Sequence, residues 1–193
     1  MTNPRGQATT TWFQAFDQPN EDLALRIDAP ENLRVVFTRD AFGMATSITR
    51  SDVRGAAYPT ATRSYVYDSN HLLCKTIEPE IGATVEAYDA ADNVAWRATG
   101  LGLTSLACDR DSVPMAKRIA YSYDTRNRLL GTTYGDGSPG ITRSYDAAGN
   151  LGSINSNGTA WTYGYTALNQ PRTETLGYGA QVNTVTWGYN PNG

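Results

Sequence analysis

The sequence is poor in the residues that chemistry usually requires. It has one histidine, His71, and two cysteines, Cys74 and Cys108, in 193 residues. Ser-His-Asp and Cys-His schemes need a placed imidazole, and His71 falls in a column explained below by backbone tolerance. Zinc takes three or four Cys or His ligands, whereas the three present here are scattered. Asp89, Asp92 and Asn93 lie close together, but the twelve-residue calcium loop is missing. "GDGSPG" at 135–140 is glycine-rich without the Lys-Ser/Thr ending of a phosphate loop, and it reads as a turn. A paired-carboxylate glycosidase would need two acids set apart from the rest, and none are. No catalytic residue, metal or cofactor is expected.

Charge is sparse as well. Only 18% of residues are charged, the net charge is −3, and no basic stripe exists, so nucleic acid is not an expected partner. No apolar run reaches membrane-spanning length. The start, "MTNPRGQATTTW", carries no apolar signal segment. No stretch shows a convincing helical stripe; "NEDLALRID" at 20–28 has room for a single helical turn at most.

What the chain does have is a repeated phrase. "RSYDAAGNLGSI" at 143–154 returns as "YVYDSNHLL" at 65–73, "EAYDAADNV" at 86–94, "YSYDTRNRL" at 121–129 and "YGYTALNQP" at 163–171. Weaker copies are "QAFDQPNED" at 14–22 and "FTRDAFGMA" at 37–45, and the sequence ends inside another, "WGYNPNG". The acid column reads Asp17, Asp40, Asp68, Asp89, Asp124, Asp146, Thr166, Asn190. Its spacing is 20 to 28 residues except for one gap of 35 between Asp89 and Asp124. A fixed period of this kind signals a repeat architecture.

The column three residues later reads Asn20, Gly43, His71, Asp92, Asn127, Gly149, Asn169, Gly193. All eight belong to the small group that tolerates positive φ. Asp at the head of a type I turn, with a left-handed residue three later, builds a bulged hairpin loop. Asp40, Asp68, Asp89, Asp124 and Asp146 are therefore expected to brace turns through the free N–H groups, with Gly43, Asn127 and Gly149 supplying the left-handed position.

The flanks alternate with period two, which suits strands. Tyr65 and Tyr67, Tyr121 and Tyr123, and Tyr163 and Tyr165 place both rings of each pair on one sheet face. Tyr88 and Tyr145 extend this aromatic column. Cross-strand stacking is the expected use of these rings, and sugar stacking is the alternative. The array covers 1–193 as a single unit: seven hairpins plus a truncated eighth, about fifteen strands, interrupted by an irregular insertion at 99–118. At 4.8 Å per strand this is a sheet about 70 Å long, and a sheet of that length must curl, split or flatten. Cys108 lies in the insertion and Cys74 on the strand after the third turn. A disulfide between them would tether the insertion, and two free thiols are the alternative. Residues 185–189, "VTWGY", carry no charge and form an expected unpaired edge, hence a route to self-association.

These motifs resemble those of the YD-repeat, or Rhs (rearrangement hotspot), proteins, whose unit is Tyr-x-Tyr-Asp-x-x-Gly-Arg/Asn-Leu. The likeness runs over 16–193. Arg143 departs from it, standing where the first aromatic belongs. The resemblance implies an all-β array of tandem hairpins, strongly curved and forming part of a spiral β-shell. It implies a bacterial, secreted or cell-surface chain whose partners are the remainder of its own longer chain and an enclosed C-terminal toxin. The alternative it offers is a wall-associated adhesin that binds carbohydrate through the repeated aromatics. The family's self-cleaving segment has no counterpart here.

Overall fold

The computed structural model describes residues 8–14, 22–55 and 59–190. Asp17, Asn20 and Gly193, the outermost members of the two turn columns, lie outside them. Fifteen antiparallel strands follow one another in sheet order: β1 (Thr10–Phe13), β2 (Ala24–Ala29), β3 (Leu33–Arg39), β4 (Ala45–Asp52), β5 (Ala61–Tyr67), β6 (Leu73–Glu78), β7 (Gly82–Tyr88), β8 (Val94–Leu101), β9 (Ile119–Tyr123), β10 (Leu129–Tyr134), β11 (Ile141–Tyr145), β12 (Leu151–Ser156), β13 (Thr159–Tyr165), β14 (Pro171–Tyr178) and β15 (Gln181–Thr186). This is the all-β hairpin array expected from the repeat. Two compact units divide it: Met1–Glu86 with Ala98–Ser112, and Ala87–Arg97 with Val113–Gly193.

Three expectations are corrected. The stretch allowed a helical turn at 20–28 contains β2, whose Arg26, Ile27 and Asp28 pair with Val36, Val35 and Arg34. The insertion starts at 102 rather than 99, because β8 continues to Leu101 with Ala98 and Leu101 buried. The insertion also holds two short 3-10 helices, Arg110–Ser112 and Met115–Lys117. The edge expected at 185–189 is instead β15, which ends at Thr186. Thr186 pairs with Thr173 and the Trp187 amide still donates to the Arg172 carbonyl at 2.9 Å. The β14–β15 ladder thus ends with Thr173, seven residues after Thr166, just as the β4–β5 ladder ends with Ser47, seven after Asp40.

Six repeat turns are described, and all have one geometry. The amide of the column residue (Asp40, Asp68, Asp89, Asp124, Asp146 or Thr166) donates to the carbonyl four residues on. The residue at position three returns a bond to the column residue's carbonyl, over 3.0–3.2 Å. That third residue is left-handed in every case: Gly43 at φ 83°, His71 at 62°, Asp92 at 60°, Asn127 at 58°, Gly149 at 97° and Asn169 at 59°. After five of these turns the returning strand carries one extra residue. Val66 faces Lys75 and Tyr67 faces Leu73, which leaves Cys74 over; Thr46, Leu130, Gly152 and Arg172 are left over in the same way. Each is a β-bulge six residues after the column, and a bulge bends its strand. At the opposite end of the strands the links are tight turns, such as Asn157-Gly158 with φ 47° and 75°, the residue pair a mirror-type hairpin turn requires.

The buried apolar set among the described residues is small: Cys74, Ala83, Val85, Ala98, Leu101 and Val113. All but Val113 belong to the first unit. A sheet with so little core depends on turn and cross-strand bonds. Gly149 is therefore a sensitive position. A Cβ there has room, its nearest neighbour being Arg128 Nη1 at 3.6 Å, so backbone strain alone opposes a side chain. Gly149→Val is expected to destabilise the protein by about 1–2 kcal/mol; a urea midpoint equal to the parent's would contradict the left-handed requirement.

Candidate functional site: the junctions between repeats

The column carboxylates are the first component of the junctions. One carboxylate oxygen accepts from the amides two and four residues on: Phe42 and Met44 for Asp40, Asn70 and Leu72 for Asp68, Ala91 and Asn93 for Asp89, Arg126 and Arg128 for Asp124, all at 2.8–3.1 Å. Asn150 makes the fourth-residue bond to Asp146. In the degenerate turn the Thr166 hydroxyl takes both bonds, from Leu168 and Gln170.

In the turns at Asp89, Asp124 and Asp146 the fourth residue carries a polar side chain. Its side chain first braces its own carboxylate: Asn93 on Asp89, Arg128 on Asp124, Asn150 on Asp146. Where it is asparagine it also reaches the left-handed residue of the following turn. Asn93 Nδ2 donates to Asn127 Oδ1 at 3.1 Å, and Asn150 Nδ2 to Asn169 Oδ1 at 3.0 Å. At an earlier junction the Phe42 and His71 rings meet edge to face at 4.3 Å.

The tyrosine before the acid is the third component. Between one repeat and the next the strand ladder ends early: for β4 and β5 its last pair is Ser47 with Ser64, and for β12 and β13 it is Ser153 with Thr162. Beyond it the bulged strand leaves a carbonyl with no strand partner, five residues after the previous column residue. The next tyrosine fills that gap. Tyr67 Oη donates to the Ala45 carbonyl at 3.0 Å, Tyr123 to Val94 at 3.1 Å, Tyr145 to Leu129 at 3.0 Å, Tyr165 to Leu151 at 3.1 Å and Tyr189 to Pro171 at 2.5 Å. Burial raises the phenol pKa of Tyr67 and Tyr123, so both hydroxyls stay protonated donors.

The other column tyrosines, Tyr65, Tyr121 and Tyr163, sit half-buried two residues earlier on the same face, and Tyr88 closes β7. Among the described residues the ring–ring contact is Phe42 with His71; Tyr145 lies under a guanidinium, Arg128 at 4.4 Å. Tyr163 and Tyr165 line an open cleft with Pro171, Glu174, Trp187 and Tyr189.

The insertion is fastened by three successive residues within the first unit. Cys108 forms a disulfide with Cys74 across a Cα separation of 5.2 Å. Asp109 holds the ammonium of Lys75, whose side chain has no exposed surface, at 2.6 Å, and the same Nζ donates to the Ser105 carbonyl at 2.9 Å. Arg110 binds Asp68 at 2.7 Å and the Glu86 carbonyl at 2.8 Å. Closing a loop with a sequence separation of 34 is worth roughly 4 kcal/mol in the chain-entropy account. Lys75 and Asp109 gave no sign in the sequence, because a lysine within a strand reads as a solvated side chain.

Among the described residues no three His, Cys, Asp or Glu side chains are grouped to hold a metal ion. No described helix is long and apolar enough to cross a membrane.

No family model matches this sequence, and no curated protein matches it. Solved structures do. A chain in the structure of the Photorhabdus luminescens Tc holotoxin pore, carrying a mutation in TccC3, superposes with a TM-score of 0.58 at 13% identity over 93% of this chain. A chain of the TcdB2-TccC3 crystal structure without the hypervariable C-terminal region gives 0.49 at 15% identity over 90%. This chain spans about a tenth of their length, 11% in each case. At 13% identity the first of these likenesses is one of fold alone: an all-β hairpin array shared with part of a Tc toxin chain.

Two outcomes follow from the junctions. Tyr145→Phe leaves the Leu129 carbonyl without its donor and is expected to lower stability by about 1 kcal/mol in urea unfolding; an unchanged midpoint would mean water replaces the hydroxyl at no cost. The second concerns acid. Asn93 holds the Asp89 pKa down, the Arg128 amide does the same for Asp124, and Asn150 for Asp146. A carboxyl lowered in the folded state adds stability that is complete above its unfolded value and lost as the pH falls through the folded one. The melting temperature should stay level from about pH 7 to 5 and drop below about pH 4, with a smaller drop in Asp146→Asn. A melting temperature level down to about pH 2.5 would show that these bonds contribute nothing.

Proposed function

We propose that this chain is a non-catalytic wall segment of a YD-repeat shell that encloses a C-terminal toxin domain in competition between bacteria. The observation that carries this reading is the junction ladder. The distinctive residues of the repeat are consumed in turning the chain or bonding it to the next repeat, which is how a wall is assembled and leaves little for catalysis. The fold shared with Tc toxin chains many times longer supports a continuing array as its natural context. The disulfide suits an oxidising compartment and so a secreted or cell-surface protein.

The test uses the intact gene product that contains these repeats. Its enclosed domain should resist protease for as long as the repeats stay folded and become digestible when denaturant loosens them. Digestion at the rate of the isolated domain would remove the wall reading.

A second reading rests on the cleft of Tyr163, Tyr165, Glu174, Trp187 and Tyr189, where aromatic faces beside a carboxylate suit a sugar. It makes the chain a wall-associated adhesin module. Titration of Trp187 fluorescence with cell-wall oligosaccharides should then saturate, and a flat response would remove it.

A further inference from the structure

The structure assigns Cys108 Sγ as the point of attack for a dithiol reductant, and residues 102–112 as a latch that this reaction releases. The two sulfurs of the bridge are not equivalent. Cys74 has no exposed surface, while Cys108 is half-buried behind residues 104–107, all of which are exposed. A thiolate arriving from solvent therefore meets Cys108. It forms a mixed disulfide there, and Cys74 leaves as the thiolate. The reductant's second thiol then attacks its own sulfur in the mixed disulfide and frees the Cys108 thiolate. Two electrons pass from the dithiol to the cystine, and the reductant ends as a disulfide.

The leaving thiolate is formed next along the chain to Lys75, the fully buried ammonium that Asp109 neutralises while the latch is shut. When residues 108–110 lift away, Asp109 leaves with them, and an unpaired buried charge would resist that step. The Cys74 thiolate supplies a replacement anion beside Lys75. A cation next to the departing sulfur favours the thiolate form, which makes Cys74 the better leaving group. Arg110 loses Asp68 and the Glu86 carbonyl in the same motion. Opening would uncover Lys75 and Val85, which face each other across β6 and β7 and are both buried. The latch works in the same way whether or not the repeats enclose cargo.

The test uses the full chain. Glutathione, a monothiol, should leave its adduct on Cys108, as located by peptide mass; an adduct on Cys74 would overturn the direction of attack, and none at either would make the bridge inert. Dithiothreitol should raise tryptic cleavage after Arg110 by about tenfold, because cleavage follows the population of the open form, with cleavage after Arg126 unchanged. Equal cleavage after Arg110 before and after reduction would show that the bridge is not the lock. In Cys108→Ser, Cys74 should be alkylated with a pKa below the ordinary thiol value of about 8.5; a value at or above that would remove Lys75 from the mechanism. Lys75→Met should slow glutathione attack several-fold, and the Cys108→Ser measurement decides the same point if that variant does not fold.

Discussion

The hydroxyl of one tyrosine, bonded to a backbone carbonyl of the preceding repeat, is the interaction on which this array depends. Its need arises from the turn. A left-handed residue at position three closes the loop, the returning strand carries an extra residue at position six, and the strand bends. The bend ends the ladder to the next repeat early and leaves one carbonyl without a strand partner. A buried carbonyl left unpaired costs about 1–3 kcal/mol, so every junction built this way needs a donor in one place. A side-chain hydroxyl reaches across where a backbone amide cannot, and the five tyrosines from Tyr67 to Tyr189 all do so at 2.5–3.1 Å.

This geometry accounts for the motif residue by residue. The tyrosine closes the previous junction. The aspartate ties the free amides of its own turn, and the third residue supplies positive φ. The asparagine or arginine at position four braces the aspartate and, as asparagine, also reaches the next turn. The residue at position five needs only its carbonyl, which is why Ala45, Val94, Leu129, Leu151 and Pro171 all serve there. Repeats joined in this way contact only their neighbours, so stability is a sum of hairpin and junction contributions. The six buried apolar side chains among the described residues are compatible with that arrangement.

The turns were legible in the sequence because positive φ restricts residue type, and eight positions showed the restriction. Strand identity was legible from period-two alternation. The direction of each tyrosine hydroxyl was not, since alternation gives a face and says nothing about where a ladder ends. A sign of the turn-to-turn bonds was present in the polar run Asn93, Arg128, Asn150, Gln170 at position four. The Lys75–Asp109 pair was hidden for a different reason: it joins residues 34 apart in sequence through an insertion that belongs to no repeat.

The tyrosine hydroxyls couple repeats and do not fold the individual hairpins. This coupling is tested most directly by hydrogen exchange through urea unfolding in a chain with Tyr67, Tyr123, Tyr145 and Tyr165 all changed to Phe. The turn amides of Leu72, Arg128 and Asn150 should remain protected at low urea, while the single cooperative transition expected of the parent separates into several. One transition with the parent's midpoint and slope would contradict it.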